Sequence, residues 1–401
     1  MGLFSKFKKE KNIDKPSQKK VDKKIFLEHE SEEDTNPKIK LYNEFVRHAF
    51  SYDTEFFSTC GITDTKEIRR IFEYVINDYP EMFWVCGYQL TSDSMAVSYR
   101  CINEDGQIDV KDIERKKAEL RKNAKYFTRG ITKRTKPYDA LITIYRRLIL
   151  ELDYDGVGLK TEEKQGDEFD YTTDDNLRSL YSALVHRKVV CAGYAVAMQY
   201  LLQSVGISCA CVSSERYNNS GHAFNALKIG KYVYYLDVTW GDKSDTLTGK
   251  KDAGDISYDY CCVPYKEFLL TSEGAKAYHT PNKEYFPDLE EFKDTNHEYF
   301  RFRKAYLLRY DENIMADVFA QTAKTYDKKE MGNFAVGFRC HDVSLMNYVV
   351  GQINNKVTMK RIINKAMELC GRKKKQLSKL FTDDFQIKPN SATGVFYIYF
   401  K

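Results

Sequence analysis

The stretch from Val189 to Asp242 constrains the fold most. It opens with VVCAGYAVAMQYLLQSVG, Val189 to Gly206, in which Ala195, Met198, Leu201, Leu202 and Val205 recur at helical spacing. Gly206 is a natural C-terminal stop for that helix. Three runs rich in β-branched and aromatic residues follow: ISCACVSS, HAFNALKI and KYVYYLDVTW. The predicted unit is a helix packed on an antiparallel sheet, an α+β arrangement.

Cys191 falls in the first turn of that helix. Unpaired N–H groups and the positive end of the helix dipole favour a thiolate there. The small residues Ala192, Gly193 and Ala195 permit close approach of other backbone. A thiol that attacks a carbonyl carbon must be deprotonated, held in place, and supplied with donors for the oxyanion it creates. The Cys191 backbone N–H is one expected donor; the spacing does not place a second. His222 and Asp237 lie on the second and third strand-like runs, with Gly230 between them as the turn residue. A two-residue turn at Gly230–Lys231, or one slipped back by a residue, puts both side chains on one sheet face. In the first register they are diagonal neighbours, with Cα atoms roughly 7–8 Å apart. A turn with an odd number of residues would separate them. On one face, Asp237 would fix the imidazole tautomer and stabilise its charged form, and His222 would exchange protons with the thiol and a leaving amine. Cys191, alone, reads as a buried structural cysteine, and His222 alone as a sheet histidine; their joint occurrence with Asp237 favours a nucleophile, base and orienting carboxylate. Trp240 reads equally as a wall of the site or a core residue of the sheet.

The rest of the chain supplies no competing chemistry. Residues 1–37 are rich in Lys, Glu, Ser and Asn, without apolar periodicity, and read as a disordered charged tail. Helical spacing begins in KIKLYNEFVRHAF and DTKEIRRIFEYVINDYP, followed by two strands in EMFWVCGYQLTSDSMAVSYRC and a charged helix from Asp112. This gives an N-terminal α+β module over 38–130. A helix from Pro137 with Leu141, Ile144, Tyr145, Leu148 and Leu152 on one face opens a domain over 137–275. A polar acidic stretch, Asp153–Asp175, reads as a long surface loop. Residues 285–401 form a C-terminal α+β module ending in the strand GVFYIYFK. Cys209 and Cys211 share one strand face and read as core. Cys261–Cys262, read as part of a strand, point to opposite faces, and Cys340–His341 lacks the second ligand pair a zinc site requires. No metal or other cofactor is implied.

Charge narrows the partners. The chain of 401 residues has a net charge of +5, and its positive excess is concentrated in 1–24 and offset by the acidic run Glu28–Asp34. A nucleic-acid-binding protein would carry a basic face across a whole domain. No apolar run is long enough for a transmembrane helix, and MGLFSKFKKEK lacks a signal peptide's apolar region. A short amphipathic membrane foot from Leu3, Phe4 and Phe7 is the minority reading of the tail. The ten cysteines show no framework spacing, which fits reduced thiols and a cytoplasmic location. Oligomeric state is not legible.

The motifs CAGYA from Cys191, HAFN from His222 and YYLDVTWGD from Tyr234 resemble the transglutaminase-like superfamily, in its order and at its spacing. ITIYRRLILELDYD and LYSALV resemble the lead-in of bacterial members. The resemblance covers 138–242. It implies a papain-like core, flanked here by two α+β modules, with Cys191, His222 and Asp237 as catalytic residues. The implied substrate is a protein or peptide amide, cleaved through an acyl-thioester, with an amine or water as acceptor. A cysteine peptidase or amidase with the same three residues, and a catalytically silent binding module, are the alternatives. Three positions depart from the pattern: Val189 and Ser182 stand where the family commonly has Gly, and Phe224 replaces a frequent Trp. Val189 implies a narrower approach to the nucleophile.

Overall fold

In the computed structural model the helix Cys191–Ser204 is buried on nearly every side. Ala195, Met198, Leu201 and Leu202 are fully covered, as the spacing predicts, but so are Tyr194 and Ala197 on the other side. A helix that is apolar all round belongs inside a layer structure rather than on its surface. Val205, expected on the inner face, follows the last turn and is only half-buried.

The structure describes residues 36–156, 177–214, 221–244, 256–269, 276, 278–282, 295–326 and 334–400. The basic tail, its amphipathic foot and most of the acidic loop expected after Asp153 lie outside them. The described residues fall into two compact units. One comprises those within Met1–Val233, Asp237–Thr239 and Ala277–Glu291; the other, those within Tyr234–Leu236, Trp240–Lys276 and Phe292–Lys401.

In the first unit, α1 (Pro37–Ser51) and α2 (Thr65–Asp78) pack together. Each is capped by an Asn or Asp side chain, Asn36 and Asp64, that accepts a backbone N–H of the first turn. A small antiparallel sheet is ordered β1 (Phe57–Ser58), β3 (Ser94–Tyr99), β2 (Val85–Leu90). Trp84, fully buried, donates its indole N–H to the Ala49 carbonyl at 3.0 Å, fixing the end of α1 against this sheet. The charged helix α3 (Val110–Phe127) and α4 (Pro137–Glu151) follow. Leu141, Ile144, Tyr145 and Leu148 of α4 are fully buried and face the Cys191 helix, α5. β4 (Asp153–Tyr154) pairs in parallel with β5 (Lys188–Val189), which leads straight into α5.

The other side of α5 rests on β6 (Cys209–Ser213) and β7 (Ala223–Ile229), antiparallel neighbours with Cys211 opposite Asn225 and Val212 opposite Phe224. β8 (Tyr232–Leu236) completes the order β6-β7-β8. The turn between β7 and β8 is the predicted two-residue one, with Gly230 at φ 62 and Lys231. The strands are shorter than the sequence suggests. β7 starts one residue after His222, and β8 stops at Leu236, beyond which Val238–Gly241 turn helical.

The helix is tied to its sheet by buried amides. Asn225, fully buried on β7, donates to the Ala195 carbonyl of α5 at 2.8 Å and to the Ala210 carbonyl of β6 at 3.2 Å. Gln199 accepts the Cys211 N–H at 3.2 Å and donates to the Asn77 carbonyl at the end of α2. Buried polar groups cost free energy unless paired, so these bonds specify one seating of the helix.

In the second unit, α6 (Glu312–Thr325) packs on α8 (Lys356–Leu369), with α7 (Val343–Ile353) beside them. They cover a four-stranded sheet ordered β11 (Phe385–Asn390), β12 (Val395–Phe400), β10 (Ala335–Cys340), β9 (Tyr306–Leu307). Its buried charges are paired: Arg339 meets Glu298 at 2.9 Å, and the Asp259 carboxylate accepts from Ser257, Tyr397, Asn390 and Thr393. Cys261 and Cys262 lie in a bend, not a strand, and both are fully buried, with Cys262 at φ 56.

Gly193 is the tightest point beneath α5. A Cβ there would lie 2.6 Å from both the Leu177 carbonyl oxygen and Val189 Cγ1. Gly193→Ala is therefore expected to destabilise the fold by about 1–3 kcal/mol through overpacking, read as a lower denaturation midpoint. Gly193→Ala should cost less in a Val189→Gly background than in wild type, though still something because the Leu177 carbonyl remains; an equal cost in both backgrounds would refute the packing account.

Candidate active site

Cys191 is the first residue of α5, and its N-cap, Val190, offers no side-chain acceptor. The first intrahelical bond runs from the Tyr194 N–H to the Val190 carbonyl at 3.2 Å. The N–H groups of Cys191, Ala192 and Gly193 precede it and have no intrahelical acceptor. Val190 is itself held by donation to the Leu177 carbonyl at 3.1 Å.

Val189 packs inward. Its side chain is fully buried and turned against Gly193, so the bulk at one position is matched by its absence at the other. Ser182 also has a defined place. It begins a π-helical turn, Ser182–His186, and its hydroxyl donates to the Lys188 carbonyl at 2.7 Å, bracing β5 just ahead of Cys191. Phe224 is buried, its ring 6.5 Å from that of His222 and near-parallel to it.

His222 and Asp237 flank the β7–β8 hairpin, one just before it and one just after. His222 Nε2 donates to Asp237 Oδ2 at 2.6 Å, and both residues are buried. The His222 backbone is clamped to Ser214, whose N–H donates to the His222 carbonyl at 2.8 Å and whose hydroxyl accepts the His222 N–H at 3.0 Å. The half-buried Cys191 thiol packs against Ala223, near enough to the His222 ring and the Ala223 backbone N–H for both to favour its charged form. With Nε2 committed to Asp237, Nδ1 is the ring nitrogen left to face the thiol. Around the thiol, Ala192, Ala195, Val196, Cys211 and Ala223 form an apolar bed.

These contacts separate the charges. Burial pushes the Cys191 thiol up, but the His222 hydrogen bond, the His222 charge and the Ala223 N–H together bring it below its ordinary value. Burial disfavours the charged His222 ring, and Asp237 overrides it, raising the pKa to about 10. Asp237, fully buried, is held well below the ordinary carboxylate range despite burial, by the His222 charge and by two histidine donors. Neighbouring Cys211 is pushed up to about 12 by burial and stays a thiol.

The second donor to Asp237 is His279, which no sequence pattern singled out. It is fully buried, and its Nε2 lies 2.8 Å from the same Asp237 Oδ2. Burial holds its pKa below the ordinary value. It arrives on a segment pinned to the end of β6, where Pro281 bridges Ser214 and the Asn282 N–H donates to the Ser213 carbonyl at 2.9 Å. Among the described residues, His222, Asp237 and His279 are the one group whose metal-ligating atoms converge, within 4.8 Å of one another. Two N–H groups sharing one carboxylate oxygen account for that proximity, and a cation would have to displace both. Trp240 lies in the helical turn after Asp237 and packs edge-on against Tyr260 at 5.1 Å, half-buried.

A family model described as a transglutaminase-like domain matches residues 18–241, more than half of the chain, and the chain belongs to that family. No curated protein matches it. One of the solved structures that match, described as "Crystal structure of a TGase", is 11% identical, with a TM-score of 0.28. The match covers 40% of this chain and spans 45% of that structure's length. No helix among the described residues is long and apolar enough to cross a membrane.

The contacts give a signed expectation for pH. The thiolate–imidazolium pair persists from the depressed Cys191 pKa up to about pH 10, where His222 loses its proton. Iodoacetamide should alkylate Cys191 faster than any other cysteine at neutral pH, with Cys191→Ala as the control. His222→Asn should move the midpoint of the rate profile up towards about 8.5, the value of a free thiol. An unchanged midpoint in that variant would show that His222 does not set the thiol's charge. The stability the raised His222 supplies is complete below its unfolded value of about 6.5. It is lost as pH rises through about 10.

Proposed function

We propose that the protein is a cysteine acyltransferase that forms an acyl-thioester on Cys191 from an amide of a protein or peptide. The observation that supports this reading is the buried His222–Asp237 pair beside a thiol at the start of a buried helix. In this reading residues 137–275 are the catalytic domain, with a papain-like core, and 38–130 and 285–401 are flanking α+β modules.

The Cys191 thiolate attacks the amide carbonyl carbon; an S–C bond forms and the carbonyl π electrons move to oxygen. The Cys191 N–H is the expected donor to that oxyanion, and the next amides of the first turn, which have no intrahelical acceptor, are candidates for the second. Collapse of the adduct breaks the C–N bond, and the leaving nitrogen takes the proton of the His222 imidazolium. Ammonia or an amine departs, leaving the thioester and a neutral His222. An incoming amine gives its proton to His222 as it attacks, and collapse expels the thiolate and restores the ion pair. Asp237 stays ionised throughout, holding the ring and compensating its charge. Water in place of the amine gives net hydrolysis by the same steps.

The test incubates the protein with a glutamine-containing peptide and a fluorescent primary amine, following amine incorporation and ammonia release together. Equal yields of the two, with a loss of roughly a thousandfold or more in Cys191→Ala, support transfer. Ammonia without incorporated amine moves the reading to a hydrolase. Neither product from a broad peptide panel would leave the acyl-thioester proposal without support.

A further inference from the structure

We propose that His279 is a positioning residue for the Cys191 reaction: its Nε2–H fixes the Asp237 carboxylate in the one orientation that aims His222 at the thiol. The inference rests on the acyl-thioester reading and extends it to a residue outside the Cys-His-Asp set.

Asp237 needs such help. It is the lone residue between the end of β8 at Leu236 and the helical turn that starts at Val238. The torsion that turns a carboxylate about its Cβ–Cγ bond is broad, so each added donor narrows its swing. Here two histidines donate to the same oxygen, His222 at 2.6 Å and His279 at 2.8 Å. Two donors on the two lone pairs of one oxygen fix both the rotation and the plane of the carboxylate.

His279 is itself held firmly. Its ring meets Phe224 edge-on at 5.6 Å and an interplanar angle of 89°, and lies 5.6 Å from the His222 ring. Phe224 therefore touches both histidines, so the family's departure at this position falls beside the proposed positioning residue. The segment carrying His279 is fastened at Pro281 and Asn282 to the strand end that also clamps the His222 backbone through Ser214. One short stretch of β6 thus sets the place of both donors. His279 bonds to Asp237 rather than to the thiol, and it is fully buried, so its effect on the reaction passes through the carboxylate.

The test compares three substitutions in the full chain. Gln places an amide N–H where Nε2 stood, Asn stops a bond short of it, and Leu removes the donor while keeping bulk. The readouts are the iodoacetamide rate at Cys191, located by peptide mass spectrometry, and the thermal midpoint. His279→Gln should stay within about threefold of wild type, whereas His279→Asn and His279→Leu should fall by roughly ten- to a hundredfold, the worth of one charge-assisted hydrogen bond. A residue that only fills space would change the midpoint without separating Gln from Asn; equal rates for those two variants, fast or slow, overturn the inference. Should the Leu variant fail to fold, the Gln–Asn pair still decides. If wild-type Cys191 reacts no faster than the other cysteines, the nucleophile reading fails and the inference falls with it, an outcome distinct from indifferent variants on a reactive wild type.

Discussion

The seating of the first turn of α5 governs everything else at the site. A thiol on the first residue of a helix that follows a strand is useful only if that junction cannot shift. Gly193 lets the Leu177 carbonyl and the Val189 side chain press against the helix backbone. On the opposite side, Asn225 stitches Ala195 to the sheet. These two contacts fix α5 along and across the sheet, and so fix the distance from Cys191 to the residue that opens β7. Apolar burial supplies most of the driving force, but it is non-directional. The close backbone approach and the buried amide bonds set the geometry.

The electrostatics then follow from the order in which groups are buried. Asp237 is the most enclosed charge and is compensated twice, by His222 and by His279. That compensation keeps it ionised in an apolar setting and lets it hold a proton on His222 against the cost of burying the ring. The imidazolium in turn lowers the thiol, helped by the Ala223 N–H. Cys211, close by in the same apolar bed but without such partners, is pushed the other way. Burial thus dominates at Cys211, whereas His222 and the Ala223 N–H outweigh it at Cys191.

Much of this was legible in the sequence, and the gaps have physical reasons. The helix, its three strands and the Gly230 turn follow from local periodicity and turn chemistry, which are properties of short windows. The pairing of His222 with Asp237 was legible through strand register, although both residues proved to sit just outside the strands. The two-sided burial of α5 was not, because α4 and the sheet cover it from segments far along the chain. The packing of Val189 was not legible for the same reason: it depends on Gly193 and Leu177 meeting it in space. His279 left no trace, since the segment AYHTPN has no period and reaches the site only through a bridge to Ser214. Nothing in the sequence marks Gln199 and Asn225, whose bonds depend on partners that meet them in space.

The central claim is that Cys191 rests as a thiolate paired with His222. A pH titration of ultraviolet thiolate absorbance, taken as the difference between wild type and Cys191→Ala, measures that state directly. One thiolate should form with a midpoint below about 8.5, the value of a free cysteine, and remain at every higher pH. A difference signal that appears only at or above the free-thiol value would contradict the account.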